Sequence, residues 1–96
     1  MSKNIMNFVD DIKSNIEEKV ISILGPKGSK RPKRKMIYTE RGSFDEDPWL
    51  EPVQLLKIFV EGRYVLIKIK DLDGDIEEAY LRDFDLGVIE QVISVL

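Results

Sequence analysis

The side chains that most often carry chemistry are missing from this sequence, which contains no histidine and no cysteine. Ser–His and Cys–His nucleophile pairs, thiol catalysis, disulfide scaffolds and thiolate or imidazole zinc sites are excluded with them. The carboxylates, lysines, arginines and tyrosines that remain can support metal-assisted or proton-transfer reactions. A chain of 96 residues seldom encloses such a site alone. The expectation is a protein that is not an enzyme, with no catalytic residue, no metal and no cofactor.

Three local patterns look like sites and have simpler accounts. Asp71-Leu72-Asp73-Gly74-Asp75 sets oxygen ligands at alternate positions, as the first half of a calcium loop does. Counting from Asp71, Ile76 stands where that loop needs glycine and Arg82 where it needs a bidentate glutamate, so the stretch is read as a hairpin turn. Gly25-Pro26-Lys27-Gly28-Ser29-Lys30 lacks the Gly-Lys-Ser order of a phosphate loop and follows a helical pattern, not a strand. None of the serines sits in a Gly-x-Ser-x-Gly elbow.

Charge is the sharper anomaly. Lys27, Lys30, Arg31, Lys33, Arg34 and Lys35 fall within ten residues that contain two prolines, a glycine and no apolar side chain. The whole chain has 15 basic and 18 acidic residues, yet its first 44 residues hold ten of the former and the remainder thirteen of the latter. A flexible basic loop at 26–35 is predicted, and these six residues are its candidate polyanion contacts through counterion release. Lys57, Lys68 and Lys70 would extend the track. No aromatic residue interleaves the basic run to stack on bases, so nucleic-acid binding stands as the alternative reading.

The elements that must position these residues follow from periodicity. Ile5, Phe8, Val9, Ile12, Ile16, Val20, Ile23 and Leu24 recur at three- and four-residue spacing, which predicts an amphipathic helix with Ser2 or Asn4 as cap. Asp10, Asp11, Lys13, Ser14, Glu17 and Glu18 fall on its opposite face, and Gly25-Pro26 ends it. Met36–Glu40 suits a short edge strand. Arg41–Pro52 is read as a loop pinned by Phe44, Trp49 or Leu50. Val53–Val60 and Arg63–Lys70 form a hairpin around Glu61-Gly62, and Asp73-Gly74 turns the chain into a further strand, Ile76–Arg82. Asp83 or Asp85 caps a last helix with Leu86, Ile89, Val92, Ile93 and Leu96 on one face.

Two-residue turns would pair Val60 with Arg63 and Ile67 with Tyr80. One sheet face then collects Leu56, Ile58, Val60, Val65, Ile67, Ile69 and Tyr80, and both helices should cover it. The other face mixes apolar and basic residues: Leu55, Lys57, Phe59, Tyr64, Leu66, Lys68, Lys70, Glu77, Ala79 and Leu81. The fold class is α+β, a two-layer arrangement of three to four antiparallel strands with an N-terminal and a C-terminal helix in the order α-β-β-β-β-α. A small β-barrel with flanking helices is the alternative. The composition, 43% hydrophobic and 34% charged, is that of a folded chain, read as a single domain over 1–96.

No apolar stretch is long enough for a membrane helix or a secretory leader, which points to a cytoplasmic protein without a membrane partner. The functional expectation is a non-catalytic protein-interaction module that self-associates as a homodimer. Its candidate partner surface is Phe59, Tyr64, Leu66, Leu81 and Trp49.

Overall fold

The computed structural model describes residues 2–42, 45 and 47–96, with side chains from residue 8 onward; Phe44 and the capping side chains of Ser2 and Asn4 therefore lie outside the description. The order is helix α1 (Ser2–Leu24), strands β1 (Ser29–Lys30), β2 (Lys35–Arg41), β3 (Trp49–Glu61), β4 (Tyr64–Lys70) and β5 (Ile76–Tyr80), a 3-10 turn at Leu81–Asp83, and helix α2 (Leu86–Ile93). All pairings are antiparallel. Strands β1 and β2 lie end to end along the same side of β3, followed across the sheet by β4 and β5. The sheet is open and does not close into a barrel. Among the described residues no helix is long and apolar enough to cross a membrane.

The core occupies one face of this sheet. Ile37, Val53, Leu55, Ile58, Val65, Ile67 and Ile69 are buried there with Leu81, Val20 of α1, and Val88, Ile89 and Val92 of α2. Of the two expected caps it is Asp85 that starts α2, its Oδ1 accepting the Val88 N–H at 3.0 Å. The stripe of α1 is only partly used: Val20 is buried, whereas Phe8 and Ile23 are 65% and 64% exposed.

The expected pairing changes in three places, with different consequences. In the first hairpin the turn is Gly62-Arg63, so Val60 pairs with Val65 and Ile58 with Ile67. That is a shift of two residues, and two residues preserve the face of every side chain. In the second hairpin Asp71 and Asp75 bracket a three-residue turn. Gly74, at φ 89°, donates to the Asp71 carbonyl, and the Asp71 N–H donates to the Asp75 carbonyl. Ile67 now pairs with Ala79, and Leu66 with Tyr80. This one-residue shift moves Ala79 and Glu77 to the helix side and Tyr80 to the other.

The third change is a bulge at Leu56, between the pairs Leu55–Ile69 and Lys57–Lys68. It puts Leu55, not Leu56, into the core row. Strand β3 also begins earlier than expected, at Trp49, and runs through Pro52. The Tyr38 N–H and carbonyl point outward to Gln91 of α2, so Tyr38 and Pro52 form a pair without mutual hydrogen bonds. The missing N–H of Pro52 then faces the side where β4 has already ended, which is where a strand tolerates proline.

The segment 26–35 is not wholly loop. Ser29 pairs with Phe59 and Lys30 with Ile58, and the Val60 N–H donates to the Gly28 carbonyl at 2.9 Å. The basic residues are thereby laid along the sheet edge.

Candidate interaction surface

With both helices on one side, the opposite sheet face has no covering element among the described residues. Its side chains follow from the register. One row across the sheet reads Phe59–Leu66–Tyr80, the next Lys57–Lys68–Glu78, and a third Met36–Gln54–Lys70–Ile76. Tyr64 completes the first row at the turn end, its ring packed edge-on to Tyr80 with centroids 5.3 Å apart. Tyr64, Tyr80, Met36 and Ile76 are exposed, while Phe59, Leu66, Lys57 and Lys68 are half-buried. The Lys57 ammonium lies 4.7 Å from the centre of the Phe59 ring.

Of the expected partner residues, Phe59, Tyr64 and Leu66 are brought together on this face. Leu81 is not: it is 2% exposed, on the helix side, because β5 ends at Tyr80 and the chain turns into the core. Trp49 is exposed but lies ten residues along β3 from Phe59, roughly 30 Å at the strand rise, and pairs with Arg41 on the helix side. Leu50 is also exposed, so neither residue pins a loop. Tyr80, which the two-residue turn had placed in the core, joins the aromatic row. The five-residue Asp71–Asp75 stretch carried the signal for this, since a glycine fourth in a turn also suits the three-residue form.

The basic residues acquire a position. Lys30 pairs with Ile58 and Lys35 with Leu55, so residues 31–34 form an excursion beside Leu56 and Lys57. Arg31, Lys33 and Arg34 are all exposed there, and Arg34 is held at φ 52°. Arg31, Lys33 and Arg34 thus lie at the edge beside Lys57, whereas Lys30 and Lys35, paired with the core residues Ile58 and Leu55, fall on the helix side. Lys27, also at positive φ, sits in the turn that follows α1. Acidic groups concentrate at the far end of the sheet, where Glu51, Asp71, Asp73 and Glu77 line a cleft of about 400 Å³ with Arg41 and Trp49.

Among the described residues, the grouped carboxylates are held by the fold's own hydrogen bonds. Oxygens of Asp71, Asp73 and Asp75 lie within 4.8 Å of one another, and Asp71 Oδ1 accepts the N–H groups of Asp73 and Asp75 at 2.9 Å each. The turn accounts for that arrangement. A second cleft of about 400 Å³, lined by Glu17, Tyr64, Arg63 and Arg82, holds the buried carboxylate Glu17. Its two oxygens accept the Val65 N–H and the Arg82 guanidinium, both at 3.0 Å, so both are occupied in tying α1 to the sheet. Compared with known proteins, the chain matches no family model, no curated protein and no solved structure.

Proposed function

We propose that this protein is a non-catalytic binding module whose working surface is the open face of the sheet. The observation that carries the reading is the row Phe59–Leu66–Tyr80 with Tyr64, aromatic and aliphatic groups set side by side on the layer opposite both helices. Apolar rings on an uncovered sheet are stabilised by a partner more than by water. The absence of histidine and cysteine and the occupied oxygens of Glu17 favour binding over catalysis. Self-association through this face is one form of the reading.

The test needs no knowledge of the partner. Phe59→Ala and Leu66→Ala should each cost less than about 1.5 kcal/mol in urea unfolding, whereas Ile58→Ala and Ile67→Ala, their buried neighbours, should cost about 2–5 kcal/mol. Equal losses on the two faces would mean that the open face is covered, and the reading would fail. Sedimentation at micromolar concentration, with and without Phe59→Ala, reports whether a second copy is the partner.

A further inference from the structure

We infer that the partner of the open face is a single-stranded nucleic acid. The inference rests on the reading of that face as the working surface and adds the class of ligand. Its basis is a juxtaposition that the fold creates: an exposed basic excursion, two opposed lysines and a row of aromatic rings in adjoining positions on one sheet.

Lys57 and Lys68 are direct cross-strand partners in the middle of the sheet, and both are half-buried. Like charges in that relation destabilise a strand pair. Residues 31–34 add Arg31, Lys33 and Arg34 at the same level, and Glu78 closes the row only on the β5 side. A chain of phosphates crossing from the β1–β2 edge meets these cations in sequence and releases its counterions to them. In the next row Phe59 and Tyr80 flank Leu66, with Tyr64 beside Tyr80. Base stacking on such rings is tolerant of sequence and requires bases freed from a duplex.

The alternatives fit less well. Two copies docked directly over this row would bring four lysines together with only two glutamates, Glu78 of each copy. An acidic polypeptide would neutralise the lysines, but its carboxylates offer no stacking surface to the rings. Two acids share the face, Glu61 opposite Tyr64 and Glu78 opposite Lys68, against Lys57, Lys68 and Lys70 and the exposed Arg31, Lys33 and Arg34 at the edge. The acidic cleft is remote: Glu51 is eight residues along β3 from Phe59, roughly 26 Å, while the Debye length at physiological salt is about 8 Å.

The probe is a fluorescein-labelled oligothymidylate of about twelve nucleotides, read by anisotropy as salt is raised from about 20 to about 200 mM. Binding should weaken with a log–log slope near −0.7 per phosphate contact, and Lys57→Gln with Lys68→Gln should reduce that slope by about 1.4. Phe59→Leu should weaken binding roughly five- to hundredfold with the slope unchanged, and Tyr80→Leu should act in the same direction. The same oligonucleotide annealed to its complement should bind more weakly.

Any of four results overturns the inference: no binding at low salt by folded protein, equal affinity for the duplex, indifference to both aromatic substitutions, or displacement of the oligonucleotide by polyglutamate at equal charge. A dimer abolished by Phe59→Ala, with no oligonucleotide binding, would retain the open face and reject the nucleic acid. Core-like losses for Phe59→Ala and Leu66→Ala would reject the face itself.

Discussion

Replacing Glu17 is the most direct test of how α1 is held to the sheet. Glu17 is 5% exposed and one residue from Glu18, which faces water. Its partner Val65 lies one residue beyond the last β4–β5 pair, Leu66–Tyr80, so the end of β5 leaves the Val65 N–H without a strand acceptor. Glu17→Ala removes a hydrogen bond to a charged acceptor, about 1.5–3 kcal/mol where the donor stays buried. It also removes the Arg82 ion pair. The Arg82 side chain is 38% exposed, so screening limits that contribution to about 0.5 kcal/mol.

The sum is a loss of about 2–3.5 kcal/mol, which for a domain of this size lowers Tm by roughly 8–28 °C. Glu17→Gln keeps an oxygen for Val65 but sets an amide NH2 against Arg82, for a loss of about 1 kcal/mol. Glu18→Ala, the adjacent control, should change stability by less than about 0.5 kcal/mol. Urea unfolding of the three variants against the parent measures all of this. If Glu17→Ala and Glu18→Ala have the same midpoint, the accounting for Val65 is wrong.

Three further substitutions probe the segments around the basic edge and α2. A Cβ on Gly28 would stand 1.9 Å from the Leu24 carbonyl oxygen, so Gly28→Ala should cost about 2 kcal/mol or more by forcing the end of α1 away from β1, read by thermal unfolding. Lys27 occupies the third position of the turn closed by the Gly28 N–H on the Gly25 carbonyl, at φ 62°; Lys27→Gly should raise stability by about 0.5–1 kcal/mol despite the added chain entropy. Gln91→Ala removes both side-chain bonds to the Tyr38 backbone at the outer edge of β2. It should cost about 1 kcal/mol and make light scattering rise with concentration, because an unpaired edge recruits other strands.

The fate of the lysines and tyrosines shows how far local pattern reaches. Lys57, Phe59, Leu66 and Lys68 were assignable to one face because alternation along β3 and β4 has period two, and the two-residue error in their register left it intact. Tyr80 and Leu81 exchanged places because one added residue in the Asp71–Asp75 turn reverses that parity. Glu17 gave no local sign of burial, since its spacing on α1 matches that of its exposed neighbours. Its environment is created by where β5 stops, 63 positions later in the chain at Tyr80.

By itself the sequence determined the element order, the helix at each end, a cap at Asp83 or Asp85, the lack of imidazole and thiol chemistry, and a basic segment set apart from an acidic half. These depend on residue type and on spacings of two to four, which a short stretch of chain contains in full. The tertiary structure alone decided that β1 and β2 share one side of β3 and that residues 31–34 lie beside Lys57. It also decided that Lys57 opposes Lys68 and that Tyr80 stands with Phe59. Those relations are fixed by pairing between distant strands, where one bulge or one turn residue changes which groups meet, and no local pattern encodes that count.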